Sequence, residues 1–177
     1  QSFHRLGAKV TVVETTDCVL PREDKDISCY VHELLEKEGI SIVVRARVTK
    51  AEKSGDIIKL TLETEEGIKI VEAEHLLVST GRRANVEGLD LEKAGVEYDR
   101  AIKVNAKMQT SQKHIYAVGD VAGGYQFTHV ASYEAVVAIY NAILKIPKKA
   151  DYTKTPWCTY IDPEVASIGC NEQRAKD

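Results

Sequence analysis

The sequence predicts an α/β protein organised around parallel strands. Two observations support this. An apolar strand at 9–14, a helix at 24–38 and a second strand at 40–44 follow one another, and a later strand at 115–118 runs directly into Gly-Asp and a glycine-rich turn. A strand, a crossover helix and another strand form the unit from which parallel sheets are built. At 177 residues and 44% hydrophobic, the chain can bury a substantial core.

The first half combines this unit with a meander. In the helix at 24–38 the apolar side chains Ile27, Val31 and Leu35 share one face, and Gly39 supplies the stop. Beyond it, two polar turns containing glycine separate three strands, predicted at 48–53, 57–64 and 68–71. A further strand is predicted at 75–79.

In the second half, the sequence predicts shorter elements around one long helix. The helix at 128–145 is apolar on nearly every side, which is typical of a helix packed between layers, and it ends before Pro147. A short helix is predicted at 89–94, closed by Gly95, and a further helix starts at Asn171. Four strands are predicted in this half, at 101–104, 115–118, 157–161 and 165–169.

Composition excludes some classes of function. A formal charge of −3 gives no reason to expect nucleic acid or an anionic membrane as partner, and no apolar run approaches the roughly 20 residues of a membrane helix. Four scattered cysteines lack metal-site or redox-pair spacing, so we expect buried or incidental thiols in a reducing compartment: Cys18, Cys29, Cys158 and Cys170.

Asp120 is the most informative position. It ends the apolar strand at 115–118 and faces Gly123 and Gly124, and the next helix begins near Thr128. In open α/β sheets an acid at this place holds sugar hydroxyls, and a helix amino end adds partial positive charge to the same crevice. The pattern predicts a ligand with hydroxyls and developing negative charge. The alternative is an aspartate that only caps a helix.

Four segments, in order along the chain, carry a resemblance to a known family: LGAKVTVVE at 6–14, LLVSTGRR at 76–83, HIYAVGD at 114–120 and PWCTYIDPE at 156–164. Together they resemble the FAD-dependent pyridine nucleotide-disulfide oxidoreductases, which include dihydrolipoamide dehydrogenase, glutathione reductase and mercuric reductase. The resemblance covers nearly the whole chain and indicates a family rather than one enzyme.

The resemblance implies three domain pieces. Residues 1–80 would be a Rossmann-like NAD-binding domain without its first strand and glycine-rich turn, 81–150 the carboxyl-terminal part of a Rossmann-like FAD-binding domain, and 151–177 the start of an α+β dimerisation domain. The FAD fingerprint and the redox cysteine pair would precede Gln1, and the catalytic histidine would follow Asp177. No catalytic residue is therefore expected within this chain.

The resemblance also implies a nucleotide site. Glu14 would accept hydrogen bonds from both ribose hydroxyls of NAD and repel the additional phosphate of NADP, although a solvated acid at a strand end is the alternative. Val48 and Gly81 match positions whose main chain borders that site. Gly81 has a second interpretation as the glycine of a tight turn.

For FAD, the resemblance implies a hydrogen bond from a ribityl hydroxyl to Asp120. It also implies that main-chain N–H groups at the start of the long helix approach the pyrimidine edge of the flavin, at Gln126, Phe127, Thr128 and His129. A role for the His129 side chain is left open. Trp157 and Tyr160 are either core or contact residues.

The intact protein would then pass electrons from NADH through FAD to a cysteine pair and on to a disulfide, a protein-bound lipoyl group or a metal ion. We expect a cytoplasmic homodimer. The alternative from another class is a non-catalytic nucleotide-binding redox sensor or regulator that lacks the cysteine pair.

Overall fold

The computed structural model describes residues 1–176, which form two compact units. The first unit comprises Gln1–Ser79, Tyr160–Val165 and the chain from Cys170 onward, and the second comprises Thr80–Thr159 with Ala166–Gly169. No helix in the described part of the chain is both long and apolar enough to span a membrane.

The first unit begins with the predicted strand–helix–strand arrangement. Helix α1 (Ser2–Arg5) precedes strand β1 (Thr11–Val13), helix α2 (Lys25–Lys37) and strand β2 (Ser41–Val43). The two strands pair in parallel, so the prediction is confirmed with slightly shorter strands. The core beside them consists of side chains from α2 and its flanking loops: Val19, Val31, Leu35 and Ile40.

The predicted meander is also confirmed. Strands β3 (Arg47–Ser54), β4 (Ile57–Thr64) and β5 (Gly67–Ala73) form an antiparallel sheet in that order. Alternation places Leu60 and Leu62 of β4 in a small core together with Ala46. Ala46 follows β2 closely in the chain. The core therefore also contacts the last side chains of the two parallel strands, Val13 and Val43.

The predicted strand at 75–79 is wrong. These residues have no regular secondary structure, and their side chains are exposed, with Leu77 at 75%. A strand forms only where a neighbour supplies hydrogen-bonding partners, and in the described part of the chain the parallel sheet contains only β1 and β2. The apolar pattern is present, but nothing in residues 1–176 pairs with it.

In the second unit the long helix α3 (Thr128–Ala142) follows a 3-10 turn at Gly119–Ala122. The helix ends three residues before its predicted end, with Ile143 as its C-cap. The turn packs directly on the helix, because a Cβ on Gly119 would lie 3.0 Å from the Cβ of Ala131. A second small core holds this part together: Leu91, Val96, Ile102 and Ala117.

Three predicted elements of this unit are wrong. Residues 89–94 form hydrogen-bonded turns instead of a helix, since Asp90 has a φ of +51° and cannot open a right-handed helix. The strands at 101–104 and 115–118 are reduced to single bridges, Tyr98 with Ile102 and Gln109 with Tyr116. Each has one bridging partner and lacks the continuous ladder that a strand requires.

The carboxyl-terminal part contains strands β6 (Pro156–Thr159) and β7 (Val165–Ile168), which form a two-stranded sheet, and helix α4 (Glu172–Lys176). Strand β7 lies inside its predicted range, β6 begins one residue before and ends two residues before its own, and α4 begins one residue after the predicted start at Asn171.

Candidate functional site

Asp120 lies in the 3-10 turn with an exposed carboxylate. Its side chain is 54% exposed, and its Oδ2 lies 3.6 Å from Nη1 of Arg82. The N-cap residues are Val118 for the turn and Phe127 for α3, and neither element has a side-chain cap. The helix-cap alternative for Asp120 is therefore wrong, and the carboxylate is available to a ligand.

The amino end of α3 presents uncapped N–H groups. Phe127 is extended, and its carbonyl accepts the first helical hydrogen bond, from the N–H of Ala131 at 3.0 Å. The N–H groups of Thr128, His129 and Val130 precede that bond and have no acceptor within the helix. They give this end the partial positive charge that suits an anionic group.

Aromatic side chains hold the start of α3. The ring of His129 stacks on Phe127 with centroids 5.4 Å apart, and its Nε2 lies 2.9 Å from the carbonyl oxygen of Pro156. Tyr125 stacks on Trp157 at 6.2 Å. The His129 side chain thus packs against the chain itself, and Trp157 belongs to this cluster, whereas Tyr160 is strongly exposed.

A cavity of about 680 Å³ opens in the same unit. Its lining residues include three arginines, Arg82, Arg83 and Arg100, and two acids, Glu87 and Asp99. Gly123, Gly124 and Gln126 complete part of the wall, and both glycines have positive φ. The excess of cations suits a ligand with anionic groups.

Sequence reasoning missed Glu134. Its side chain is 3% exposed, and its two oxygens accept different donors, Oε2 the N–H of Gly119 at 2.6 Å and Oε1 the hydroxyl of Tyr152 at 2.7 Å. A signal was present, because a single acid within a helix that is apolar on all sides must be buried, and a buried acid requires partners.

Tyr152 is fixed as the donor of that pair. Burial, followed by its hydrogen bond to Glu134, raises the pKa of Tyr152 far above its ordinary value. The phenol therefore stays protonated over the physiological range. Its ring also packs against Tyr125 and, edge-on, against Tyr133.

In the first unit, Glu14 is a half-buried acid directly after β1. Its Oε1 accepts three hydrogen bonds, from the N–H of Thr16 at 2.9 Å and from the hydroxyls of Thr15 and Thr16 at 3.1 Å. The Thr16 N–H is the largest cause that lowers the pKa of Glu14. Thr15 and Thr16 thus orient one oxygen of a carboxylate that has the capacity to accept further hydrogen bonds.

Val48 and Gly81 lie in different surroundings. Val48 is exposed near the start of β3, and the N–H of Ala46 donates to the carbonyl of Glu14 at 3.0 Å, which brings Glu14 and this strand start to one edge of the first unit. Gly81 belongs to the second unit, has a φ of +126° and has no atom within 4 Å of the place of a Cβ. Its backbone therefore has a conformation that favours glycine, with open space beside it.

No group of three or more potential metal ligands occurs within residues 1–176. Cys29 and Cys170 are exposed, and Cys18 and Cys158 are half-buried.

Comparison with known proteins identifies the family. A model described as pyridine nucleotide-disulphide oxidoreductase matches residues 1–135. The chain belongs to this family. Three of the four sequence segments lie inside this range, and relatives named dihydrolipoyl dehydrogenase and mercuric reductase match nearly the whole chain, so the resemblance is confirmed.

Two curated relatives illustrate the match. Dihydrolipoyl dehydrogenase from Bacillus subtilis is 42% identical over 177 residues, which are 98% of this chain and 37% of that protein. Mercuric reductase from Lysinibacillus sphaericus is 37% identical over 179 residues, covering 100% of this chain and 33% of that protein. The chain thus spans little more than a third of the length of these relatives.

Solved structures agree in fold. LpdA from Mycobacterium tuberculosis superposes with a TM-score of 0.88 at 28% identity, covering 97% of this chain and 37% of that one. The flavoprotein disulfide reductase RclA from Escherichia coli gives 0.87 at 26% identity, covering 98% of this chain and 40% of that one. The name of the family includes a pyridine nucleotide, and the name of RclA describes it as a flavoprotein.

Proposed function

We propose that the full-length protein containing this chain transfers electrons from NADH through FAD to a disulfide, a protein-bound lipoyl group or a metal ion. The observation that carries the proposal is the exposed Asp120 carboxylate on a turn that packs against α3, together with the uncapped amino end of that helix, in a chain of this family. A carboxylate acceptor and a cluster of N–H donors fit a ligand that has both hydroxyls and negative charge.

The described residues fit half of a flavin site. Asp120 would accept a hydrogen bond from a ribityl hydroxyl, in place of its long contact with Arg82. The N–H groups of Thr128 and His129 would stabilise negative charge at the pyrimidine edge of the flavin. FAD, when bound, supplies the acceptor for a hydride and the donor for the next electron transfer.

The nicotinamide nucleotide would lie against the first unit. Glu14 keeps one carboxylate oxygen oriented by Thr15 and Thr16 and leaves the other for ribose hydroxyls. Its negative charge would repel the 2′-phosphate of NADPH, so we propose NADH as the donor. The main chain at Val48 lies at the same edge of the first unit. A contribution of the Gly81 backbone to nucleotide binding stays a prediction.

The names of the relatives support the proposed terminal acceptors. The names dihydrolipoyl dehydrogenase and mercuric reductase point to a lipoyl disulfide and a metal ion. We propose that the intact protein is a cytoplasmic homodimer whose redox cysteine pair lies outside this chain.

Asp120→Ala tests the flavin site in the full-length protein. Loss of a hydrogen bond to a charged group in a partly dry crevice weakens binding by about ten- to a hundredfold. Asp120→Asn, which keeps an acceptor oxygen, is expected to fall between wild type and Asp120→Ala. FAD affinity is measured by titration of the flavin-depleted protein and followed by flavin fluorescence.

The control is Asp56→Ala, which removes an exposed carboxylate from a turn of the first unit. Unchanged affinity in Asp120→Ala contradicts the flavin assignment. A wild-type protein that binds FAD but whose flavin is not reduced by NADH contradicts the enzymatic proposal and favours the redox sensor.

A further inference from the structure

The buried acid Glu134 is not used by the proposed electron transfer, yet it contacts the turn that carries Asp120. Its Oε2 accepts the N–H of Gly119, the residue directly before Asp120 in the chain. Gly119 has a φ of +74° and lies against Ala131 of the same helix. The approach of the turn to α3 is therefore defined by one hydrogen bond and one close contact.

Glu134 also belongs to the helix whose amino end forms the other half of the flavin site. It lies six residues after Thr128, which is about 9 Å along the helix axis. Because α3 is a single continuous helix, a group fixed to Glu134 has a fixed distance from the N–H groups at its start. The Glu134 carboxylate thus relates the position of Asp120 to that of the helix end.

The carboxylate itself has little freedom. Its second oxygen accepts the hydroxyl of Tyr152, whose ring is packed between Tyr125 and Tyr133. A buried carboxylate is tolerated only where its oxygens have partners, and here each oxygen has one. Tyr152 therefore orients Glu134, and Glu134 orients the turn.

We propose that Glu134 is a positioning residue for flavin binding, holding Asp120 in register with the amino end of α3 through Gly119, with Tyr152 as its support. The inference rests on the proposed flavin site. It adds a residue that flavin binding would need but that does not contact the flavin, because the Glu134 side chain is buried and hydrogen-bonded to the turn.

The experiment compares Glu134→Ala, Glu134→Gln and Tyr152→Phe in the full-length flavoprotein. Glu134→Ala is expected to weaken FAD binding about tenfold or more, since the N–H of Gly119 loses its acceptor. Glutamine keeps a carbonyl for that N–H and an amide that can donate to Tyr152, so it restores most of the affinity. Tyr152→Phe is expected to give a loss of about threefold, because Glu134 keeps Gly119 but loses its orientation.

The matched control is Val137→Ala, a fully buried position on the same helix with an apolar side chain. It loosens packing but removes no hydrogen bond to Gly119 or Tyr152. Thermal unfolding of each flavin-depleted variant shows how much stability it has lost. The absorption spectrum of the bound flavin adds a readout that loss of stability does not move, and Glu134→Ala is expected to shift it toward that of flavin in water.

The inference is overturned if flavin affinity depends on stability alone. In that case Glu134→Ala would bind FAD as tightly as Val137→Ala after the same loss of stability. If Glu134→Ala does not fold, Tyr152→Phe decides, and affinity equal to that of the control overturns the inference. A wild-type protein that binds no FAD refutes the proposed function instead, so the two failures are distinguishable.

Discussion

Glu14 and Asp120 both follow short apolar segments, but the structure holds their carboxylates differently. Glu14 receives three hydrogen bonds on one oxygen from the two residues after it, so its orientation is set locally. Asp120 has only a long contact with Arg82, and the turn that carries it is held through Glu134. Orientation is thus local in the proposed nucleotide site and depends on distant residues in the proposed flavin site.

This difference decides which site residues the sequence could reveal. Glu14 and Asp120 are recognisable because each acid follows an apolar segment. Glu134 contacts Gly119 across 15 positions and Tyr152 across 18, and Arg82 approaches Asp120 from 38 positions away. Such pairs depend on how the chain folds back, so no local pattern specifies them.

At Glu14 we expect a loss of nucleotide selectivity. In the full-length enzyme, Glu14→Ala removes the acceptor for the ribose hydroxyls and the charge that repels a 2′-phosphate, so the preference for NADH over NADPH narrows about tenfold. Steady-state kinetics with both nucleotides measure kcat/KM, and Glu66→Ala, in an exposed turn, is the control. Equal efficiencies with the two nucleotides in the wild type rule this role out.

The pH dependence at Glu14 follows from its hydrogen bonds. Because the Thr16 N–H lowers the pKa of Glu14, the carboxylate stays ionised to a lower pH than that of an ordinary glutamate. It is neutralised only when the pH falls through the lowered pKa. The factor lost in NADH kcat/KM in Glu14→Ala is therefore expected to stay constant between about pH 5.5 and about pH 8.5. A factor that shrinks on the acid side of this range contradicts the lowered pKa.

Among the elements, most of those that the sequence predicted have hydrogen bonds between residues close in the chain, and the parallel pair β1 and β2 is an exception. Helices α2 and α3 bond within themselves, and the meander pairs strands that are neighbours in the chain. The segments at 75–79, 101–104 and 115–118 have strand-like composition but depend on partners that the chain sequence does not place beside them. Composition alone cannot supply a neighbouring strand.

The contact between the 3-10 turn and α3 makes a prediction at this scale. Gly119 and Gly124 have nearly equal φ, +74° and +71°. A Cβ added at Gly119 would lie 3.0 Å from the Cβ of Ala131, whereas a Cβ added at Gly124 would have no atom within 4 Å. Both alanine variants pay the left-handed backbone strain of about 1 kcal/mol. Only Gly119→Ala adds overpacking, which is expected to cost about 1–2 kcal/mol more.

Urea unfolding of the full-length, flavin-depleted protein measures this difference. Working on the flavin-depleted form removes the stabilisation that bound ligand would add. Equal free energies of unfolding for Gly119→Ala and Gly124→Ala would mean that the turn moves away from α3 without loss, and the close contact would then have no energetic role.

On the scale of the whole chain, both units expose apolar side chains that ordered proteins usually cover. In the first unit the segment at 75–79 exposes Leu77 and Val78, and in the second Ile139 and Ile143 are exposed at the carboxyl-terminal end of α3. The chain spans 37% of its Bacillus subtilis relative, so we infer that further parts of the full-length protein cover these surfaces. Exposed apolar patches of this kind favour self-association.

Residues 1–177 expressed alone are expected to purify without colour and to lack NADH-dependent reductase activity. In dinucleotide-binding folds a glycine-rich turn places the pyrophosphate on a helix amino end, and the sequence contains no such fingerprint before β1. Asp120 and the start of α3 would hold only the other end of FAD, which loses most of the binding energy. The visible spectrum after FAD is added and removed, dye reduction by NADH, and size-exclusion chromatography are the measurements. Flavin retained at one per chain, or dye reduction above a protein-free control, would contradict this expectation and show that residues 1–177 hold more of the flavin site than proposed.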